Sequence, residues 1–168
     1  MTEQEKEQIL RKMKNREQGD VASNDDDLVR SEKDMKKGIE YPEMVAKLAE
    51  IYEAGQTYFV AWGTEDYKVL NTGCERHKIE NPVQYEDYLD LAEAYKLWKG
   101  DELTTGLKRA TEEQEVDTAG LWHTAYDDAA NTGKLLVRML EKGWTPELYF
   151  EQKAAYDAEK AERRLHGR

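Results

Sequence analysis

The chain has 168 residues, with 25 Lys and Arg against 36 Asp and Glu, for a net charge of -11. Its length fits one domain with room for a tail. The acid excess excludes a protein that holds polyphosphate by bulk positive charge, but not an enzyme that meets phosphate through carboxylate-held metal ions. A single cysteine, Cys74, excludes a disulfide scaffold and fits a reducing compartment. No run approaches the ~18 apolar residues of a membrane span, and the N-terminal MTEQEKEQIL lacks the apolar core of a signal peptide. The expectation is a soluble, cytoplasmic protein with no membrane partner.

Residues 1–40 hold 20 charged residues and no aromatic, whereas all 16 aromatics lie between Tyr41 and Tyr156. The front of the chain therefore buries little, and the core comes from the rest. Residues 3–17 read as an exposed helical arm with a thin stripe of Ile9, Leu10 and Met13. Residues 18–27 read as a polar linker whose three successive aspartates, Asp25, Asp26 and Asp27, are solvated charge. Leu28 to Gly38 reads as a short helical turn.

From Tyr41 the texture changes. Met44, Val45, Leu48, Ile51 and Tyr52 repeat at helical spacing, with Pro42 at the start and Gly55 at the end. TYFVAW, residues 57–62, is short, apolar and aromatic, and reads as a buried strand broken by Gly63. Thr64 is placed to cap a helix over residues 64–79. Residues 85–100 begin strand-like and become helical. Residues 101–116 read as a helix interrupted by Gly106, and residues 117–122 as a loop. Residues 123–143 form a strong helix carrying Leu135, Leu136, Met139 and Leu140. The last helix starts with Thr145 as cap and Pro146 in its first turn, and ends charged. Cys74 reads as a buried small residue, and His77 and His166 as surface residues.

Two places combine an element end with acids. In FVAWGTEDYKVL a buried strand ends at Gly63 and Asp66 follows within a turn; in parallel α/β sheets ligands sit at the carboxyl ends of strands. Glu65 and Asp66 also complement the positive end of a helix without any ligand. In GLWHTAYDDAANTGKLL, His123 precedes a helix and Asp128 lies in its first turns. An acid and an imidazole at such a junction suit metal ligation and proton transfer from water. The plainer reading is a surface histidine beside ordinary N-terminal acids.

Together, Trp62-Gly63-Thr64-Glu65-Asp66 and His123-Thr124-Ala125-Tyr126-Asp127-Asp128-Ala129-Ala130-Asn131 resemble the second and third motifs of the DEDDh 3′-5′ exonucleases. These belong to the DnaQ-like, RNase H-like superfamily, and the likeness is to the branch that trims RNA 3′ ends. It spans roughly residues 31–143, with residues 1–30 as arm and linker and 144–168 as a helical tail. The resemblance implies an α/β, helix-rich RNase H-like exonuclease fold, Asp66 and Asp128 as metal ligands, and His123 as general base. It also implies Mg²⁺ or Mn²⁺ as cofactor and the 3′ end of RNA or single-stranded DNA as partner.

One departure matters. The family's first motif, an Asp-x-Glu closing an apolar first strand, has no counterpart here before residue 57. Asp157-Ala158-Glu159 lies in a charged helix, where residues i and i+2 point about 200° apart, so it is no substitute. The expected sheet therefore lacks its first strands. The expectation is weak metal binding and little or no activity from this chain alone, through an incomplete reading frame or a replaced front. The alternative is a non-catalytic or partner-dependent RNase H-like interaction protein, with its terminal helices as contacts for a second copy or another chain.

Overall fold

The computed structural model describes residues 36–167. The expected arm, the linker and most of the turn at residues 28–38 lie outside these residues, as does the proposed boundary near residue 30. Helix α1 spans Tyr41–Ile51, with Pro42 in its first turn, where a missing N–H costs nothing. Strand β1 spans Phe59–Ala61, and helix α2 spans Glu65–His77. A 3₁₀ turn at Tyr85–Asp87 leads into strand β2, Tyr88–Asp90. Helices α3 (Leu91–Lys99), α4 (Leu107–Glu113), α5 (Ala125–Glu141) and α6 (Pro146–His166) follow.

The two strands run parallel, with Phe59 opposite Tyr88, Val60 opposite Leu89 and Ala61 opposite Asp90. Alternation along β1 sends neighbouring residues to opposite faces. Phe59 joins a small cluster of Val45, Leu70, Cys74 and Val83 under α1 and α2. Val60 meets the main core, built from Leu89, Leu91, Tyr95, Leu135, Met139 and Trp144 on β2, α3, α5 and the turn after α5. This is the helix-rich α/β arrangement expected, and its parallel sheet has two strands among the described residues.

Local chemistry accounts for most boundaries. The Asp90 carboxylate caps α3 by accepting the Ala92 and Glu93 N–H groups, and Gly100 closes that helix in the left-handed region at φ 74°. Thr145 caps α6 through the Leu148 N–H. Several expectations need correction. Thr64 makes no side-chain cap, because its backbone is already helical at φ -98°, ψ -7°. The helix expected over 101–116 is confined to Leu107–Glu113, and Gly106 precedes it with extended dihedrals instead of interrupting it. The strand is three residues long, not six. His77 is half-buried and stacks on Tyr41, with ring centroids 5.0 Å apart, so it is not a plain surface residue. Cys74 is a buried free thiol, as expected. No helix among the described residues is long and apolar enough to cross a membrane.

Candidate functional site

The turn from β1 into α2 is held from two sides. Gly63, at φ 100°, donates its N–H to the Asp90 carboxylate at 3.0 Å. Its carbonyl accepts the Tyr88 hydroxyl. Both partners come from β2, so strand pairing fixes the path of the Trp62-Gly63 peptide. Burial, followed by the charges of Asp66 and Asp90, pushes the Tyr88 phenol up to about 12. It therefore remains a neutral donor at any physiological pH. Trp62 is anchored at its far end, where the indole N–H donates to the Thr105 carbonyl at 3.2 Å.

This anchored turn presents Asp66, exposed in the first turn of α2, to a cavity of about 460 Å³. Asp128 of α5 lines the same cavity, together with Ala129, Thr132 and Gly133. Two acids 62 positions apart in sequence thus share one opening.

The loop before α5 is fastened by the motif itself. Asn131, 1% exposed, closes a two-way bridge to Ala119, accepting its N–H and donating to its carbonyl, each at 3.2 Å. Asp127 accepts the Leu121 N–H at 2.9 Å and the Thr124 hydroxyl at 2.7 Å. Those bonds, the backbone one foremost, hold its carboxyl below the usual carboxylate range. Gly120 sits against that carboxylate so closely that a Cβ there would lie 2.1 Å from its carboxyl carbon. The His123 N–H donates to Asp128 Oδ1 at 3.3 Å, and His123 adopts φ 69°, an uncommon value for a non-glycine residue.

His123 and Asp128 are therefore joined, but through the histidine backbone. The His123 side chain is exposed and is not part of the cavity wall shared by Asp66 and Asp128. Among the described residues no group of three or more His, Cys, Asp or Glu side chains could hold a metal ion. Two carboxylates alone do not fit a pair of Mg²⁺ ions, each of which demands near-octahedral oxygen coordination. Asp157 and Glu159 do not help: both are exposed on α6 and paired to Lys153 and Arg163.

Sequence reasoning missed the parts played by Asp127, Asp90 and Asn131. For Asp90 a signal was present, since an aspartate directly before the helical run LAEAYKLW has the form of a helix cap. Asp127 gives no such signal, because its partners are backbone and hydroxyl groups of a loop.

Comparison with known proteins agrees with the motifs. The chain is 33% identical over 105 residues to a protein of Bacillus subtilis (strain 168) named "Probable 3′-5′ exonuclease KapD", covering 62% of this chain and 51% of that one. It is 33% identical over 86 residues to human "ERI1 exoribonuclease 2", covering 51% of this chain and 12% of that protein. The Xenopus laevis protein of the same name matches at the same identity and coverage. The chain thus spans about half the length of the first relative and a small part of the others. No family profile and no solved structure matches.

Proposed function

We propose that this chain, whose relatives support a DnaQ-like 3′-5′ exonuclease family, carries part of the active site of such an enzyme, acting on nucleic-acid 3′ ends. The observation that carries this reading is the convergence of Asp66 and Asp128 on one cavity beside the fastened His123 loop. In this reading Asp66 and Asp128 would contribute carboxylate oxygens to a Mg²⁺ or Mn²⁺ ion, and His123 would accept a proton from water. The donor set among the described residues is too small for a two-ion site, so metal binding is weak and activity low or absent unless further ligands are supplied.

The test is trimming of a 3′-labelled RNA and a 3′-labelled single-stranded DNA by the pure protein with Mg²⁺ or Mn²⁺. His123→Ala is expected to abolish whatever trimming the wild type shows. Trimming by the mutant at the wild-type rate would overturn the assignment of His123.

A second reading, a non-catalytic or partner-dependent chain, has its own support. Phe59, Val60, Ala61 and Trp62 all line the Asp66 cavity. Side chains alternate along a strand, so four consecutive residues share one cavity only when it runs along the strand's edge. The edge of β1 away from β2 thus faces a slot walled by the small residues of α5. The N–H and C=O groups of an edge strand are a template for another strand, which favours a further segment pairing there. Gain of activity on mixing with a second polypeptide that carries a strand ending in Asp-x-Glu, and none without it, would distinguish this reading from a self-sufficient enzyme.

A further inference from the structure

The slot along β1 holds two carboxylates and no cation. Asp66 and Asp128 line it, and no Lys, Arg or His side chain does. The lysines nearest to them in sequence are engaged elsewhere. Lys68 is paired with Glu65 at 2.6 Å, and Lys134 donates to the Asp117 carbonyl at 3.0 Å. The rest of the wall is mostly apolar or small, with open space above Gly133, where an added Cβ would meet nothing within 4 Å. A segment that combines apolar side chains with positive charge complements such a wall.

Residues 9–16, ILRKMKNR, have that composition. They carry Arg11, Lys12, Lys14 and Arg16 beside Ile9, Leu10 and Met13, and no acid. The other cations before residue 36 have acids close by: Lys6 and Lys33 each lie between two acids, and Arg30 lies two positions from Glu32. Residues 17–35 join the basic stretch to the described chain at Lys36. These 19 residues span up to about 60 Å when extended. A domain of this size has a radius of gyration of about 14 Å, so the slot is within reach. A tether of this kind supplies an effective concentration on the order of a millimolar. A contact too weak to hold a free peptide is then populated within one chain.

We propose that residues 9–16 of the same chain occupy this slot. Ile9, Leu10 and Met13 lie against Ala129, Gly133 and the β1 edge, and the four cations gather around Asp66 and Asp128. This names the segment that, in the second reading above, lies along β1, and it rests on that reading. Exposed ion pairs contribute little each, so the apolar and the charged side chains are both needed. The docked cations cover the carboxylates that a metal ion would need, so docking shields the site.

The test places a nitroxide spin label on the full chain at Asn15→Cys, in EDTA. Cys74, 1% exposed, is shielded from the reagent. Backbone amide signals are compared before and after reduction of the label. The Ala129 and Gly133 amides are expected to be the most strongly broadened of the described residues, to about half intensity or less. Arg11→Gln, Lys12→Gln, Lys14→Gln and Arg16→Gln, combined, should restore full intensity, and so should Ile9→Ser with Leu10→Ser. Strongest broadening elsewhere, none anywhere, or broadening unchanged in either variant would overturn the proposal. So would the same broadening seen in an isotope-labelled chain without the spin label when mixed with a spin-labelled one, which would assign the slot to a second copy. No metal or substrate takes part, so none of these outcomes depends on whether the chain trims 3′ ends.

Discussion

Glu113 makes the most quantitative prediction about what holds this fold together. Its carboxylate accepts Lys99 Nζ at 2.6 Å, the Tyr95 hydroxyl at 2.8 Å and Arg109 Nε at 3.1 Å, joining α3 to α4. The Lys99 bond foremost, then that of Tyr95, bring its pKa down from 4.5 to about 2. Each pKa unit corresponds to about 1.4 kcal/mol, so the shift would represent at most ~3.5 kcal/mol. The Glu113 and Lys99 side chains remain 25% and 29% exposed, and solvent screening reduces the expected contribution to about 1–2 kcal/mol. A depressed carboxyl pKa stabilises the fold fully above the unfolded value and loses that stabilisation as pH falls through the folded one. Glu113→Gln should therefore lower the urea-unfolding free energy by about 1–2 kcal/mol at pH 7. The difference from wild type should shrink between pH 4.5 and pH 2. A difference that stays constant across that window would refute the reasoning.

Two further predictions concern close approaches. A Cβ at Gly73 would lie 2.2 Å from the Cζ and hydroxyl of Tyr41, which donates to the Leu70 carbonyl at 2.8 Å and stacks on His77. Gly73→Ala gains about 1 kcal/mol of helix propensity. It displaces a hydrogen bond and a ring stack worth about 1 kcal/mol each, so a lower melting temperature is expected, and an equal or higher one would count against that packing. Asp127→Ala removes the acceptor of the Leu121 N–H and the Thr124 hydroxyl. Faster amide exchange at Leu121, with unchanged protection in the middle of α5, is the expected readout by hydrogen exchange.

Much of the fold was legible because its signals are local. Pro42, Gly100 and the Thr145-Pro146 pair mark helix ends by backbone chemistry that needs no distant partner. The second strand was half visible, as a strand-like start to residues 85–100, because Tyr88 and Leu89 are buried but sit beside polar Glu86 and Asp87. What failed depended on three-dimensional context. Thr64 has the composition of a cap but lies in a backbone already helical. His77 looks solvent-facing until Tyr41, 36 positions away, stacks on it. In the site, Asp66 and Asp128, singled out by their resemblance to two motifs of one family, line the same cavity. The role of Asp127 did not, since a carboxylate that folds a loop onto its own helix leaves no periodic trace.

The edge of β1 away from β2, which no strand covers among the described residues, also bears on how the chain behaves in solution. Exposed N–H and C=O groups along a strand are a template for other chains to pair with, and natural proteins commonly guard such edges with charge. Here the guard is the net charge of -11, which acts at long range and only while it is unscreened. The repulsion reaches about 10 Å at 0.1 M salt and about 3 Å at 1 M, shorter than the strand-to-strand spacing of ~4.8 Å. Raising the ionic strength is therefore expected to weaken the long-range repulsion that opposes edge-to-edge pairing.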